Sequence, residues 1–200
     1  MTAPTIAEVA LALALAWGAG IRVYAVLFLC GLAGQQGWIE LPGNLSLLSH
    51  PLVLGASGFM LAVEFLADKV PWIDSVWDAV HTFIRIPAGA ALVTMAFADS
   101  PGAGAAAAAI LGGAVAAGAH FAKAGARSSI NLSPEPFSNW AASFTEDALS
   151  LGALWVALKY PLLFLGLLAA FILIALWLLP KLWRGIRRIA TTIRRAINGT

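Results

Sequence analysis

Charge is what this chain has least of. Of 200 residues only 12 are Lys or Arg and 10 are Asp or Glu, well under half the share an ordinary globular chain carries. That excludes a soluble domain of this size and a disordered chain. Cysteine is nearly absent: Cys30 stands alone, so no internal disulfide can form and a disulfide scaffold is excluded. There is no GxSxG, no Walker loop, no CxxC and no HExxH, so the usual nucleophile, phosphate, redox and zinc templates find no support. The first ten residues hold Glu8 and no Lys or Arg, where a secretory signal needs positive charge; an uncleaved first span is expected.

What is present is apolar surface. Hydrophobic residues make up 60% and the mean hydropathy is +0.86, the composition of an integral membrane protein. The formal charge of +2 conceals two regions of opposite sign. Residues 181–200 contain Lys181, Arg184, Arg187, Arg188, Arg194 and Arg195 and no acid, whereas residues 1–180 hold six bases against ten acids. In the tail, Leu182, Trp183, Ile186, Ile189, Ile193 and Ile197 recur at helical spacing, directly after an apolar run. This predicts a basic amphipathic helix on anionic lipid headgroups, not a nucleic-acid contact, and the positive-inside rule places it in the cytoplasm.

Apolar runs near residues 5–34, 48–69, 72–98, 103–123, 139–159 and 161–180 predict an all-α protein with six transmembrane helices. The expected organisation is a membrane domain over 1–180 and a basic tail over 181–200. Six spans put both termini in the cytoplasm of a bacterial inner membrane. The first run is longer than a hydrocarbon core requires, so a break is expected at Gly18-Ala19-Gly20, just before Arg22. Pro87 predicts a kink in the third span. The fourth span is almost entirely Ala and Gly, which lets backbones approach closely; a central position is expected for it. The sixth, bulky and uncharged, is expected to face lipid. A faint internal echo aligns Trp77, Thr82, Gly89 and Ala90 with Trp140, Thr145, Gly152 and Ala153, as a two-helix repeat would.

The charges inside these spans follow a pattern. Glu64 and Asp68 are four apart, and Asp74, Asp78, His81 and Arg85 recur at steps of four, three and four, so each set lies on one helical face. Counted from Pro71 at 1.5 Å per residue, Glu64 lies about 10 Å deep and Arg85 about 20 Å deep. His120 and Lys123 on the fourth span, and Asn139, Ser143, Glu146 and Ser150 on the fifth, form a second set, and Arg22 completes it. Ionisable groups at such depth face a bundle interior and mark a pathway or site, and histidine is the residue type able to titrate near neutral pH, as expected of His81 and His120. Glu64, Asp78 and His81 also form a donor set suited to a divalent cation such as Mn, Fe or Zn. The same residues serve a proton relay equally well, or a structural ion-pair network that fixes helix register. His50, just before Pro51, reads as a helix-start residue.

On Trp17-Gly-Ala-Gly-Ile-Arg22, Glu64-Phe-Leu-Ala-Asp68-Lys69-Val-Pro and Asp74-Ser-Val-Trp77-Asp78-Ala-Val-His81-Thr-Phe-Ile-Arg85-Ile-Pro-Ala-Gly89, the chain resembles a bacterial integral-membrane family defined only as domain of unknown function 4126. The resemblance covers about residues 8–175 and implies a membrane protein without supplying an activity. The Glu64-to-Lys69 element also looks loosely like the Glu-x-Gly-Asp-Lys signature of small manganese and calcium exchangers, but here three residues separate Glu64 from Asp68 and the glycine is missing.

The sequence therefore predicts a small transporter or channel for an ion or small solute, cation- or proton-linked and more readily a homo-oligomer than a monomer. Its site residues are expected to be Arg22, Glu64, Asp68, Asp74, Asp78, His81, Arg85, His120 and Glu146. An intramembrane metal-dependent enzyme acting on a lipid headgroup, and a non-catalytic scaffold, remain open as other readings.

Overall fold

The computed structural model describes residues 4–98, 102–130 and 136–178; the basic tail lies outside them. The order is α1 (Ile6–Gln35), a 3₁₀ turn (Gly43–Ser49), α2 (Pro51–Ala67), α3 (Pro71–Ala96), α4 (Gly102–Ile130), α5 (Pro136–Lys159) and α6 (Pro161–Leu178). The described residues are all-helical, as expected. The chain divides into two units between Phe164 and Leu165, inside α6, and the described buried charged residues all lie in the first.

Local signals set the helix starts. Thr5 and Glu8 form a reciprocal capping box, with the Glu8 amide donating to Thr5 Oγ1 at 3.2 Å and the Thr5 amide to Glu8 Oε2 at 2.7 Å, which satisfies two amides a helix start would leave unpaired. His50 is the residue before α2, and its Nδ1 accepts from the Leu52 amide at 3.3 Å. Pro51 and Pro71 occupy the first helical positions, where the missing N–H costs nothing.

Four helices are long and apolar enough to cross a membrane: α1, α3, α4 and α6. The 17 residues of α2 span about 26 Å, short of a hydrocarbon core of about 30 Å, and only with the preceding 3₁₀ turn, bent 69° from it, do they qualify as a fifth. Helix α5 is long enough, but Asn139, Ser143, Thr145, Glu146, Asp147 and Ser150 leave it too polar to qualify by composition. The apolar helices make this a multi-pass membrane protein.

Two positions differ from the sequence-based expectation. The centre belongs to α1, which packs against α2, α3, α4 and α5 and is the most buried candidate span. Its segment Ala10–Leu15 is apolar on every side, as a fully enclosed helix must be, whereas α4 uses its small residues on one flank and leaves Ile110, Leu111 and Phe121 exposed on another. The break in α1 falls at Arg22 (φ −142°, ψ 74°), not in the glycine run. Gly20 is used for close approach instead: a Cβ there would collide with the Ala116 carbonyl and the Ala119 side chain of α4. Across the break, the Val26 side chain fills the space over Gly18, eight residues earlier and about 12 Å away in a straight helix. Helix α3 carries Pro87 inside one uninterrupted helix.

A buried ionic network as the candidate functional site

The break at Arg22 points a guanidinium into the bundle, and the charged residues of α2 to α5 gather around it. Arg22 is fully buried. It pairs with Asp68, with Asp147 at 3.0 Å and with Glu146 at 3.7 Å, and it donates to Ser143 Oγ at 2.8 Å and the Ser143 carbonyl at 3.1 Å. Arg85 lies between Glu64, at 2.7 Å, and Asp78, at 2.6 Å. Arg127 grips Glu146 through two nitrogens, at 2.6 and 3.1 Å, donates to Asn139 Oδ1 at 3.0 Å and reaches Asp68 and Asp74 at 3.9 Å.

Lys123 joins the Arg85 group to the Arg127 group. Its Nζ lies 3.3 Å from Asp78 Oδ1 and 3.3 Å from Glu146 Oε2, and it donates to the Ile21 carbonyl at 3.2 Å. That carbonyl immediately precedes the non-helical residue of α1. The result is one continuous network of four cations (Arg22, Arg85, Lys123, Arg127) and six carboxylates (Glu64, Asp68, Asp74, Asp78, Glu146, Asp147), drawn from α1 to α5 and the turn after α2.

Both histidines have a polar partner at each ring nitrogen. His81 stacks on Trp77, 4.1 Å between ring centroids. Its Nδ1 faces the Trp77 carbonyl at 2.8 Å and its Nε2 the Tyr24 hydroxyl at 3.2 Å. A carbonyl only accepts, so Nδ1 donates and Nε2 accepts from the phenol. His120 Nδ1 faces Arg85 at 3.3 Å and its Nε2 the Thr82 hydroxyl at 2.7 Å. Arginine only donates, so the roles are reversed: Nδ1 accepts, Nε2–H donates to Thr82, and Thr82 donates to the Asp78 carbonyl at 3.0 Å.

The expected residues Arg22, Glu64, Asp68, Asp74, Asp78, Arg85 and Glu146 all join the network, and His120 touches it through Arg85. His81 is turned to Tyr24 and Trp77. Glu64 and Asp78 both turn to Arg85, so they and His81 do not converge as a metal site would require. Among the described residues no three His, Cys, Asp or Glu side chains are gathered to hold a metal ion. Lys69 lies over the Phe65 ring, 3.2 Å from its centroid, and donates to the Phe65 carbonyl at 3.2 Å. Burial pushes its ammonium below the ordinary lysine range, with Arg22 adding to the effect and Asp147 and Asp68 opposing it.

Arg127 is the residue the span boundaries hid. A fourth span ending at Lys123 leaves it in a loop, whereas α4 runs to Ile130. The signal was the step of three and four from His120 through Lys123 to Arg127, which continues one helical face.

Asp78 is reached from outside by a cleft of about 200 Å³ between α3 and α4, lined by Asp78, Thr82, His120 and Arg127, with Ser75 and Ser128 at its exposed rim. A second recess, of about 550 Å³ and largely apolar, lies among α1, α2 and α5 with Asp147 as its one charged group.

No curated protein matches the chain, and neither does any solved structure. Over residues 9–181 it matches the model of a domain of unknown function, DUF4126, and it belongs to that family.

Proposed function

We propose that this protein is a small membrane transporter or channel for an ion or small solute, linked to a cation or proton, with its binding region at the buried network. The observation that carries this reading is that carboxylates outnumber cations around the break in α1, six against five even when Lys69, within electrostatic reach of Asp68 and Asp147, is counted with the network. Charges inside a membrane cost at least about 2.5–3.5 kcal/mol each by insertion scales, so a scaffold gains nothing from burying more acids than it can neutralise. A site that takes up positive charge requires that imbalance. Glu64 Oε2 and Asp78 Oδ2 have no hydrogen-bond donor, and the α3/α4 cleft gives one of those carboxylates a route to solvent. Broken helices beside intramembrane charges are a recurring arrangement in carriers.

In this reading the protein crosses a bacterial inner membrane six times, with α5 held by its ion pairs and both termini in the cytoplasm. The experiment is charge displacement or pH change across proteoliposomes of the purified protein, challenged with protons, monovalent and divalent cations and small anions. A ligand-specific signal at least tenfold weaker in Asp78→Asn is expected. Silence across the panel from correctly folded protein, both as current and as tracer uptake, overturns the proposal.

A further inference from the structure

The Lys123 ammonium sits in a cage of three oxygens supplied by three different helices. Asp78 Oδ1 comes from α3, Glu146 Oε2 from α5 and the Ile21 carbonyl from α1, all at 3.2–3.3 Å. These three are fixed by other bonds: Asp78 by Arg85 and Glu146 by Arg127, while Ile21 belongs to the backbone of the central helix. Lys123 alone hangs on a flexible four-carbon stem, buried but unbranched. The oxygens therefore keep their places whether or not the ammonium is among them.

From this geometry we infer that the Asp78–Glu146–Ile21 cage is a monovalent-cation site, that Lys123 is its built-in competing cation, and that an external cation arrives through the α3/α4 cleft. The inference rests on the transport reading for its role in the cell, but the binding it asserts is measurable without transport. Three features select the ligand class. The separations suit an ammonium-like or large monovalent ion, whereas divalent metals demand oxygens at about 2.0–2.6 Å and usually more of them. The cage combines two carboxylates with one neutral carbonyl, and with Lys123 withdrawn three cations face six carboxylates, so a cation is drawn in and an anion repelled. Asp78, nine-tenths buried, lines the cleft, and its Oδ2 has no hydrogen-bond donor, so the residue that borders the cleft brings to the cage a carboxylate with one oxygen unclaimed. Thr82 and His120, bonded to each other at 2.7 Å, line the same cleft beside Asp78.

The test is made on the full chain in detergent. Lys123→Ala empties the cage of its resident cation, and its melting temperature is followed in sodium, potassium and methylammonium chloride against N-methylglucamine chloride at equal ionic strength. A saturable rise specific to one or more of the small cations is expected, of about 5–10 °C at a hundredfold excess over the dissociation constant, and it disappears in Lys123→Ala/Asp78→Asn. Identical melting in all four salts overturns the inference, even if the wild-type protein transports. If Lys123→Ala yields no folded protein in any salt, the decision passes to Thr82→Cys with Lys123 in place. The native thiol, Cys30, is fully buried and leaves a silent background. A cationic thiosulfonate should then label Thr82→Cys at least tenfold faster than an anionic one of similar size. Equal rates, or a faster anion, overturn the inference.

Discussion

Arg85 is the residue on which the buried acids depend most directly. It is fully buried and holds Glu64 and Asp78 on separate nitrogens, and removing one partner of such a group leaves uncompensated charge in a low-dielectric interior. Arg85→Met is expected to lose about 3–5 kcal/mol of stability, measured by reversible unfolding in mixed micelles. Arg85→Lys is expected to recover only part of this, because a single ammonium cannot reproduce the planar fork, and adding Glu64→Gln to Arg85→Met should restore part of the loss. If Arg85→Met unfolds like the wild type, the network contributes nothing to holding α2, α3 and α4 together. At this scale the sequence was most legible. The steps of three and four in α3 placed Asp74, Asp78 and Arg85 on one face, and all three meet partners in the bundle. It was silent on direction: His81 shares that face, yet Tyr24 and the Trp77 carbonyl claim both its nitrogens. No spacing rule within α3 could have foreseen a phenol from α1.

Among the elements, α1, α3 and α4 meet backbone to backbone. A Cβ on Gly89 would collide with the Ala116 side chain and crowd the Gly112 carbonyl, and one on Gly112 would strike the Gly89 carbonyl in return. Gly89→Ala is therefore expected to cost about 1–3 kcal/mol by overpacking. Gly55→Ala, with open space around its Cβ, should be neutral or slightly stabilising, since alanine exceeds glycine in helix propensity by about 1 kcal/mol. Equal melting temperatures for the two variants would contradict the close contact of α3 with α4. The small-residue composition of α4 made this intimacy readable, but not which helix lies in the middle. An Ala/Gly helix invites neighbours on any flank, whereas α1 is central because its apolar surface extends all the way round and because Arg22 needs acids from both α2 and α5. The break at Arg22 was one turn from readable. Glycines drew attention to the right stretch, but the non-helical step fell on the residue whose side chain had to turn inward.

For the molecule as a whole, four helices qualify as spans on composition, a fifth with its preceding turn, and α5 falls short. Alkaline phosphatase fused after Trp38 or after Tyr160 is expected to be active, and fused after Lys69 or after Glu135 inactive. Activity at Trp38 with none at Tyr160 would mean that α5 does not cross and would overturn the six-span arrangement. Apolar runs were readable because lipid imposes a length and a composition on anything that crosses it. The status of α5 was not, because its place depends on partners far away in sequence: Arg22 lies 121 residues before Ser143.

That separation has a consequence for how the chain is made. Ribosomes emit α1 and α4 before α5, so Arg22 and Arg127 leave the ribosome ahead of Ser143, Glu146 and Asp147. In the six-span reading, α5, too polar to leave the translocon by its own partitioning, meets counter-ions that lower the cost of entry. Biogenesis then has a fixed order, in which the last polar helix is admitted by the first apolar one, and a nascent chain lacking Arg22 would fail at the insertion of α5 before any mature bundle existed to be destabilised.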